Sequence, residues 1–261
     1  MDIHYQFQTS LGSSVNEAIN ELLSIGIENI YTIEDVDARN WIIGGTSKSP
    51  LNAPLTHLCK VNSQQEVDWE EQSKQFSPYY VEGQIIIPLS EFDSEGLIYL
   101  EAGAGFGDMS HPTTQLCLKV LKSLCEEKNI LDIGCGNGIL SFAASNMGAR
   151  KVIGIDIDPL AIDHAEKNKL LNPCHNIEFH LGSETIPYQK ARWTALMNMT
   201  FLEQKMAWAS LEKWHDVIDV ILVSGILKDQ RGKFLDWTSS LGWDIKSEYE
   251  LDSWLCFEIK K

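Results

Sequence analysis

Three glycines alternate with other residues in the segment "ILDIGCGNGILSFAA", residues 130–144. Gly134, Gly136 and Gly138 follow an apolar run that predicts a buried strand, and they precede a helix-forming stretch. Glycine lets a backbone turn sharply and approach a ligand without a Cβ in the way, so this spacing predicts a nucleotide-type loop. Ile139 stands where the dinucleotide fingerprint has its third glycine, which argues against a nicotinamide cofactor.

A carboxylate follows this loop at the end of the next predicted strand. Asp156 closes the stretch "KVIGID", where a carboxylate can accept hydrogen bonds from ribose hydroxyls. Together, "LDIGCGNG" and "GIDIDP" resemble the first two motifs of class I methyltransferases, which use S-adenosylmethionine. The resemblance implies that the loop passes under the methionine end of the cofactor and that Asp156 holds the ribose. A glycine turn in some other α/β domain is the alternative.

The segment "GAGFGDMSHPTTQLCL", residues 103–118, narrows the resemblance. It is similar to the "AFGTGTHPTT" signature of ribosomal protein L11 methyltransferases, which methylate lysine side chains and an α-amino group. The stretches "DWEEQSKQFSPYYVEGQIIIPLSEF", "VSGILKDQ" and "DSWLCFEIKK" resemble the same family. The resemblance implies that the signature lies over the cofactor and helps to shape an amine site. Ser183 stands where many class I enzymes place an acidic residue near the adenine. The implied cofactor-binding residues are Phe106, Thr113, Thr114, Asp132, Gly134, Cys135, Gly136, Asp156, Ile157, Ser183 and Asn198.

Methyl transfer to an amine requires a neutral nitrogen, close approach and alignment. A lysine with a pKa of about 10.4 must therefore lose a proton, with help from desolvation or a nearby acceptor. By resemblance, the predicted catalytic residues are Asn198, Thr113 and His111, with the Asn198 carbonyl facing the amine. For His111 and Pro112 the alternative is a plain helix entry, with Thr113 or Thr114 as the cap.

The chain differs from the family signature just before His111. Asp108, Met109 and Ser110 stand where the family has Thr-Gly-Thr, and Met109 would be strained if that position needs a positive φ. Asp108 would raise the pKa of a nearby amine, or it lies on a solvent-exposed loop. The segment "RWTALMNMTFLEQ" also lacks the acidic residue that the family has before this strand. These differences leave two alternatives open: a related methyltransferase acting on another protein or a small amine, and a degenerate homologue that is not catalytic.

Composition excludes several classes of protein. The formal charge of −16 argues against direct nucleic-acid binding and suits a basic protein or an amine substrate. The six cysteines form no CxxC pair and the histidines are dispersed, so we predict no metal site. The sequence has no signal peptide and no apolar run of about 20 residues, which predicts a cytoplasmic protein without membrane contact. The family resemblance implies a monomer whose partner is ribosomal protein L11.

The pattern along the chain predicts three regions. Residues 1–61 read as strand, helix, strand and strand, a small α+β domain for substrate recognition, with Val15, Ile19, Leu22 and Leu23 on one helical face. Residues 62–78 read as a connector with a helical second half, and residues 79–261 as the methyltransferase domain. Alternating strands and helices from residue 115 predict an α/β, Rossmann-like sheet. It is mostly parallel and seven-stranded, with an antiparallel C-terminal hairpin at its edge.

Overall fold

The computed structural model describes residues 3–9, 14–35, 40–48, 55–63, 69–103, 106–107, 109–184, 186 and 190–261. The chain divides into two compact units, Met1–Asp68 and Trp69–Lys261.

The first unit is a four-stranded antiparallel sheet with one helix. Its elements are β1 (Ile3–Thr9), α1 (Val15–Ser24), β2 (Glu28–Asp35), β3 (Asn40–Ser47) and β4 (Leu58–Ser63). The strand order is β2-β3-β1-β4. Strand β4 was not predicted, because its sequence "LCKVNS" is half polar and runs directly into a polar stretch.

Helix α1 begins with a capping box in which Ser14 and Glu17 bond each other's backbone N–H groups. Its buried face consists of Val15, Ala18 and Leu22, whereas Leu23 is 49% exposed. The prediction was wrong for Leu23, because about 100° per residue places it at the margin of a stripe centred on Leu22.

The second unit contains two sheets. Its elements are α2 (Trp69–Phe76), β5 (Tyr80–Val81), β6 (Gln84–Pro88), β7 (Leu97–Glu101), α3 (Pro112–Cys125), β8 (Asn129–Ile133), α4 (Ile139–Asn146), β9 (Lys151–Asp156), α5 (Pro159–Leu171), β10 (Ile177–Leu181), β11 (Trp193–Asn198), α6 (Phe201–Ser210), β12 (Ile218–Leu227), α7 (Arg231–Ser240), β13 (Asp244–Leu251) and β14 (Trp254–Lys260). Strands β5, β6 and β7 form a small antiparallel sheet.

The large sheet has the order β10-β9-β8-β11-β12-β14-β13. Its first five strands are parallel, and β14 runs antiparallel between β12 and the outermost β13. The prediction of a mostly parallel seven-stranded α/β sheet with a C-terminal hairpin at its edge is thus confirmed. Parallel order brings the carboxyl ends of the central strands to one side of the sheet, where ligands bind in folds of this type.

Aromatic side chains fill the core between the sheet and α6 and α7. Trp193 and Trp214 meet edge to face at 5.3 Å, and Phe234 stacks on Phe257 at 4.7 Å. Such pairs contribute stability beyond their buried area. In the ranges that the structure describes, no helix is both long and apolar enough to cross a bilayer.

Two helices that flank the expected site begin with a proline. Asp158 caps α5 by accepting from the Leu160 N–H at 2.9 Å, as the sequence predicts, and Pro159 follows. At α3 the cap is His111 itself, whose Nδ1 accepts from the Thr113 N–H at 3.3 Å. The expectation of a threonine cap at α3 was therefore wrong, because Pro112 occupies the first helical position and places both threonines inside the helix.

Candidate active site

The glycine loop between β8 and α4 adopts a conformation that other residues would strain. Gly134, Gly136 and Gly138 have φ angles of +70°, +55° and +88°. A Cβ on Gly136 would lie 2.6 Å from the carbonyl oxygen of Phe106, and one on Gly134 would lie 2.5 Å from the methyl carbon of Met199. Glycine is required here both for the turn and for the close approach of neighbouring segments.

The N–H groups of this loop are bonded within the protein. Gly134 and Cys135 both donate to the Ile155 carbonyl, at 2.7 and 2.9 Å. Gly136 donates to Asp156 Oδ2 at 3.0 Å, and Asn137 donates to the Phe106 carbonyl at 3.3 Å. A loop that binds phosphate presents free N–H donors to the anion. The N–H groups of this loop are already bonded, so the loop does not suit a pyrophosphate.

Two carboxyl groups give the loop a negative environment. Asp132 is buried at 1% exposure and accepts from the Ser141 hydroxyl at 2.6 Å. Removal from water, together with the nearby Asp156, raises the pKa of Asp132 to about 7. Burial also raises the pKa of Asp156, whose oxygens accept from the backbone N–H groups of Gly136 and Asp158. A cation beside these two groups would favour their ionised forms, so the loop fits the sulfonium and ammonium of S-adenosylmethionine.

The signature segment lies against this loop. Phe106, 48% exposed, contacts it through its backbone, while Met109 is 1% exposed and has a φ of +67°. In the family signature a glycine stands at the position of Met109. The structure places the backbone of Met109 in the left-handed region of φ and ψ. Asp108 lies outside the described residues.

His111 is held as a neutral ring at the start of α3. Burial lowers the pKa of His111 to about 4. Its ring packs edge-on to Trp254 at 4.7 Å and to Phe106 at 5.5 Å. The Nδ1 atom also lies 2.8 Å from the Thr113 hydroxyl, which donates to it when Nδ1 acts as the cap acceptor. His111 and Thr113 thus form an uncharged hydrogen-bonded pair.

Asn198 ends β11 next to the same helix. Its Nδ2 donates to the Thr114 hydroxyl at 3.2 Å, while its Oδ1 is buried and has no hydrogen-bond partner in the described part of the chain. Thr114 itself is fully buried. An unpaired buried acceptor costs about 1–3 kcal/mol, so a donor from a bound molecule would stabilise this oxygen.

The other predicted residues lie in different surroundings. Cys135 is buried at 4% exposure, and Ile157 is 88% exposed just beyond β9. The Ser183 hydroxyl donates to the Ser210 carbonyl at the end of α6, at 3.2 Å. The structure therefore brings His111, Thr113, Thr114 and Asn198 together and does not place Ser183 among them.

One residue that supports the glycine loop was not predicted from the sequence. Asn168 of α5 is fully buried, and its Nδ2 donates to the Asn137 carbonyl in the glycine loop at 2.9 Å. Its Oδ1 accepts from the Glu101 N–H at 2.8 Å. The sequence gives only a weak indication of this role, namely a polar residue on the buried face of α5.

The fold and the glycine loop together are those of the class I methyltransferase fold. A family model described as "Ribosomal protein L11 methyltransferase (PrmA)" matches residues 16–261. The chain belongs to this family.

Named relatives agree with the family. A ribosomal protein L11 methyltransferase of Staphylococcus haemolyticus (strain JCSC1435) is 32% identical over 75% of this chain and 66% of its own length. One from Cyanothece sp. (strain PCC 7425 / ATCC 29141) is 31% identical over 80% of this chain and 74% of its own. The chain thus spans slightly under two thirds of the first relative. The crystal structure of the ribosomal protein L11 methylase from Lactobacillus delbrueckii subsp. bulgaricus shares the fold, with a TM-score of 0.54 at 21% identity, covering 67% of this chain and 98% of that one.

Proposed function

We propose that this protein transfers methyl groups to lysine ε-amino or α-amino groups of ribosomal protein L11. The observation that supports this most directly is the unpartnered Oδ1 of Asn198, an acceptor beside the signature segment. An amine N–H is a donor of the kind this oxygen lacks. Membership of the L11 methyltransferase family favours this acceptor over a small amine.

When bound, S-adenosylmethionine would supply an electrophilic methyl group to the amine nitrogen, with the neutral thioether S-adenosylhomocysteine as the leaving group. Before attack, the substrate ammonium must lose a proton, and desolvation in a buried site favours its neutral form. Asn198 Oδ1 accepts from one of the two N–H groups that the neutral amine keeps, so the nitrogen lone pair points away from this oxygen. The uncharged His111 and Thr113 line the approach without the repulsion that a second cation would exert.

We assign the cofactor to the glycine loop, where Asp132 would balance its positive charge and Asp156 would accept hydrogen bonds from the ribose hydroxyls. The exposed Ile157 and the half-exposed Phe106 are the apolar surfaces proposed to cover it. We further propose that the protein acts as a monomer in the cytoplasm, without direct nucleic-acid contact, since a charge of −16 repels phosphates.

Transfer of tritiated methyl groups to purified ribosomal protein L11 tests this proposal. We expect transfer by the wild-type chain and a fall in kcat of about 100-fold in Asn198→Ala, because orientation of the amine is lost. The exposed Asn146→Ala is the matched control and should keep full activity. Cofactor binding without transfer to L11 would indicate another acceptor, and the absence of both would indicate a degenerate homologue.

A further inference from the structure

A cavity of about 360 Å³ lies away from the residues described above. His215 precedes β12, Trp243 precedes β13, and Lys261 follows β14, so the cavity flanks the amino end of β12. Asn198 pairs with Ser224 toward the carboxyl end of the same strand. The cavity is therefore separate from the glycine loop, and the methyl-transfer chemistry does not use it.

Three indole rings form the apolar part of this cavity. Trp208 meets Trp243 edge-on at 4.7 Å, and Trp237 meets Trp243 at 5.2 Å. His215 stacks on Trp208 at 4.0 Å with an interplanar angle of 7°. Within the described ranges, the N–H groups of the three indoles donate to no protein acceptor, and Trp237 is the most exposed of the three rings.

Two lysines, Lys205 and Lys261, line the cavity. Lys261 Nζ lies 5.1 Å from the Trp208 ring centroid and donates to the His215 carbonyl. Asp216 and Asp219 lie near Lys261 and offset part of its charge. Lys205 is exposed and lies over the Phe201 ring at 4.2 Å, and among the described residues no carboxylate pairs with it.

The volume of the cavity, its indole rings and its two lysines indicate the class of ligand that it would bind. Cavities of about 300–1,000 Å³ with aromatic walls and few polar groups are typical of small-molecule sites. A cationic ligand would be repelled by the lysines, one of which already occupies a cation–π position on Trp208. We propose that this cavity binds an anionic aromatic small molecule, whose ring packs on the indoles and whose anion pairs with Lys205 and Lys261.

Titration of the whole chain with 2-naphthoate tests this proposal, with the ¹⁵N–¹H indole resonances of the eight tryptophans as the readout. S-adenosylhomocysteine at saturation keeps the probe out of the glycine loop. We expect saturable shifts confined to Trp208, Trp237 and Trp243. The affinity should exceed that for the neutral 2-naphthalenemethanol at least about fivefold, as one exposed ion pair allows.

Variants identify the binding residues. Lys205→Gln should weaken naphthoate binding about fivefold and leave the alcohol unaffected, and Trp237→Leu should weaken both. Lys233→Gln, on the same helix as Trp237 but outside the cavity, is the matched control and should change neither. Equal affinity for the anion and the alcohol, shifts spread over other tryptophans, or no saturation would each overturn the proposal.

Discussion

At the scale of single residues, Met109 combines a strained backbone conformation with a buried side chain that stabilises the fold. A φ of +67° costs a residue with a Cβ about 1–2 kcal/mol, whereas full burial of a methionine side chain stabilises by about 1.5–3 kcal/mol. The two effects nearly cancel, and burial is the larger. The chain thus tolerates Met109 where the family signature has glycine, because the side chain packs inward.

Paired substitutions separate these two effects. Met109→Ala removes the packing and keeps the backbone strain, so we expect a loss of about 2–5 kcal/mol in the free energy of unfolding. Met109→Gly removes both, and it should be more stable than the alanine variant by about 1 kcal/mol. Urea denaturation measures both values. A glycine variant no more stable than the alanine variant would show that φ at this position is not strained.

Asp132 makes stability depend on pH in a predictable direction. Because its pKa is about 7 in the folded chain and about 3.9 when unfolded, the folded state binds the extra proton between these values. Stability from this group is present below pH 4 and is lost as pH rises towards 7, at up to about 1.4 kcal/mol per pH unit.

Asp132→Asn should remove this dependence, because an amide does not titrate. Relative to the wild type, the variant should gain about 2–3 kcal/mol in the free energy of unfolding between pH 5 and pH 7. The difference between the two curves isolates Asp132 from His111, whose titration is common to both. Parallel curves would contradict a raised pKa for Asp132.

Some of these residues could be predicted from the sequence and others could not. Met109 could be singled out because a glycine was expected there, and the glycine loop because its spacing is specific. The missing partner of Asn198 Oδ1 could not be predicted, since it depends on which groups from β11 and α3 meet across the fold. The bond from the Ser183 hydroxyl to the Ser210 carbonyl at the end of α6 could not be predicted either, and the place of Ser183 near the adenine stays a prediction.

At the scale of elements, Asn168 of α5 and Asn172 at its C-cap bind β7, and Asn168 also bonds the glycine loop. Asn172 Oδ1 accepts from the Tyr99 N–H at 3.0 Å, and its Nδ2 donates to the Tyr99 carbonyl at 2.7 Å. Asn168 joins the Glu101 N–H to the Asn137 carbonyl in the same way. The two side chains satisfy backbone groups of β7 much as a neighbouring strand would.

Asn168→Ala should therefore destabilise the second unit. It leaves the part-buried Glu101 N–H and the buried Asn137 carbonyl without these partners, which costs about 1–3 kcal/mol. Asn146→Ala, on the exposed face of α4, should change the free energy of unfolding by less than about 0.5 kcal/mol. Equal stabilities of the two variants, measured by denaturant unfolding, would refute the proposed bridging role.

Elements with strong periodicity were predictable, and others were not. The apolar runs of β8 and β9 were identified from sequence. Helices α6 and α7 were missed because they bury large aromatic residues at few positions, so no regular stripe marks them. Strand β5 has only two residues, too few for any period.

At the scale of the whole molecule, topology assembles the site. Strands β8, β9 and β11 bring Asp132, Asp156 and Asn198 to the carboxyl side of one parallel sheet. The sequence predicts parallel strands but not their order, because the pairing of β8 with β11 rather than β10 depends on packing across the whole sheet. The alternation of strands and helices alone could not supply that order.

Calorimetric titration of the intact chain with S-adenosylmethionine tests the central claim most directly. We expect micromolar binding that is lost in Asp156→Ala and retained in Asp158→Ala, which removes the neighbouring carboxylate that caps α5. Thermal unfolding of each variant shows that it is folded. No binding by the folded wild-type chain, or equal binding by Asp156→Ala, would contradict the assignment of the cofactor to the glycine loop.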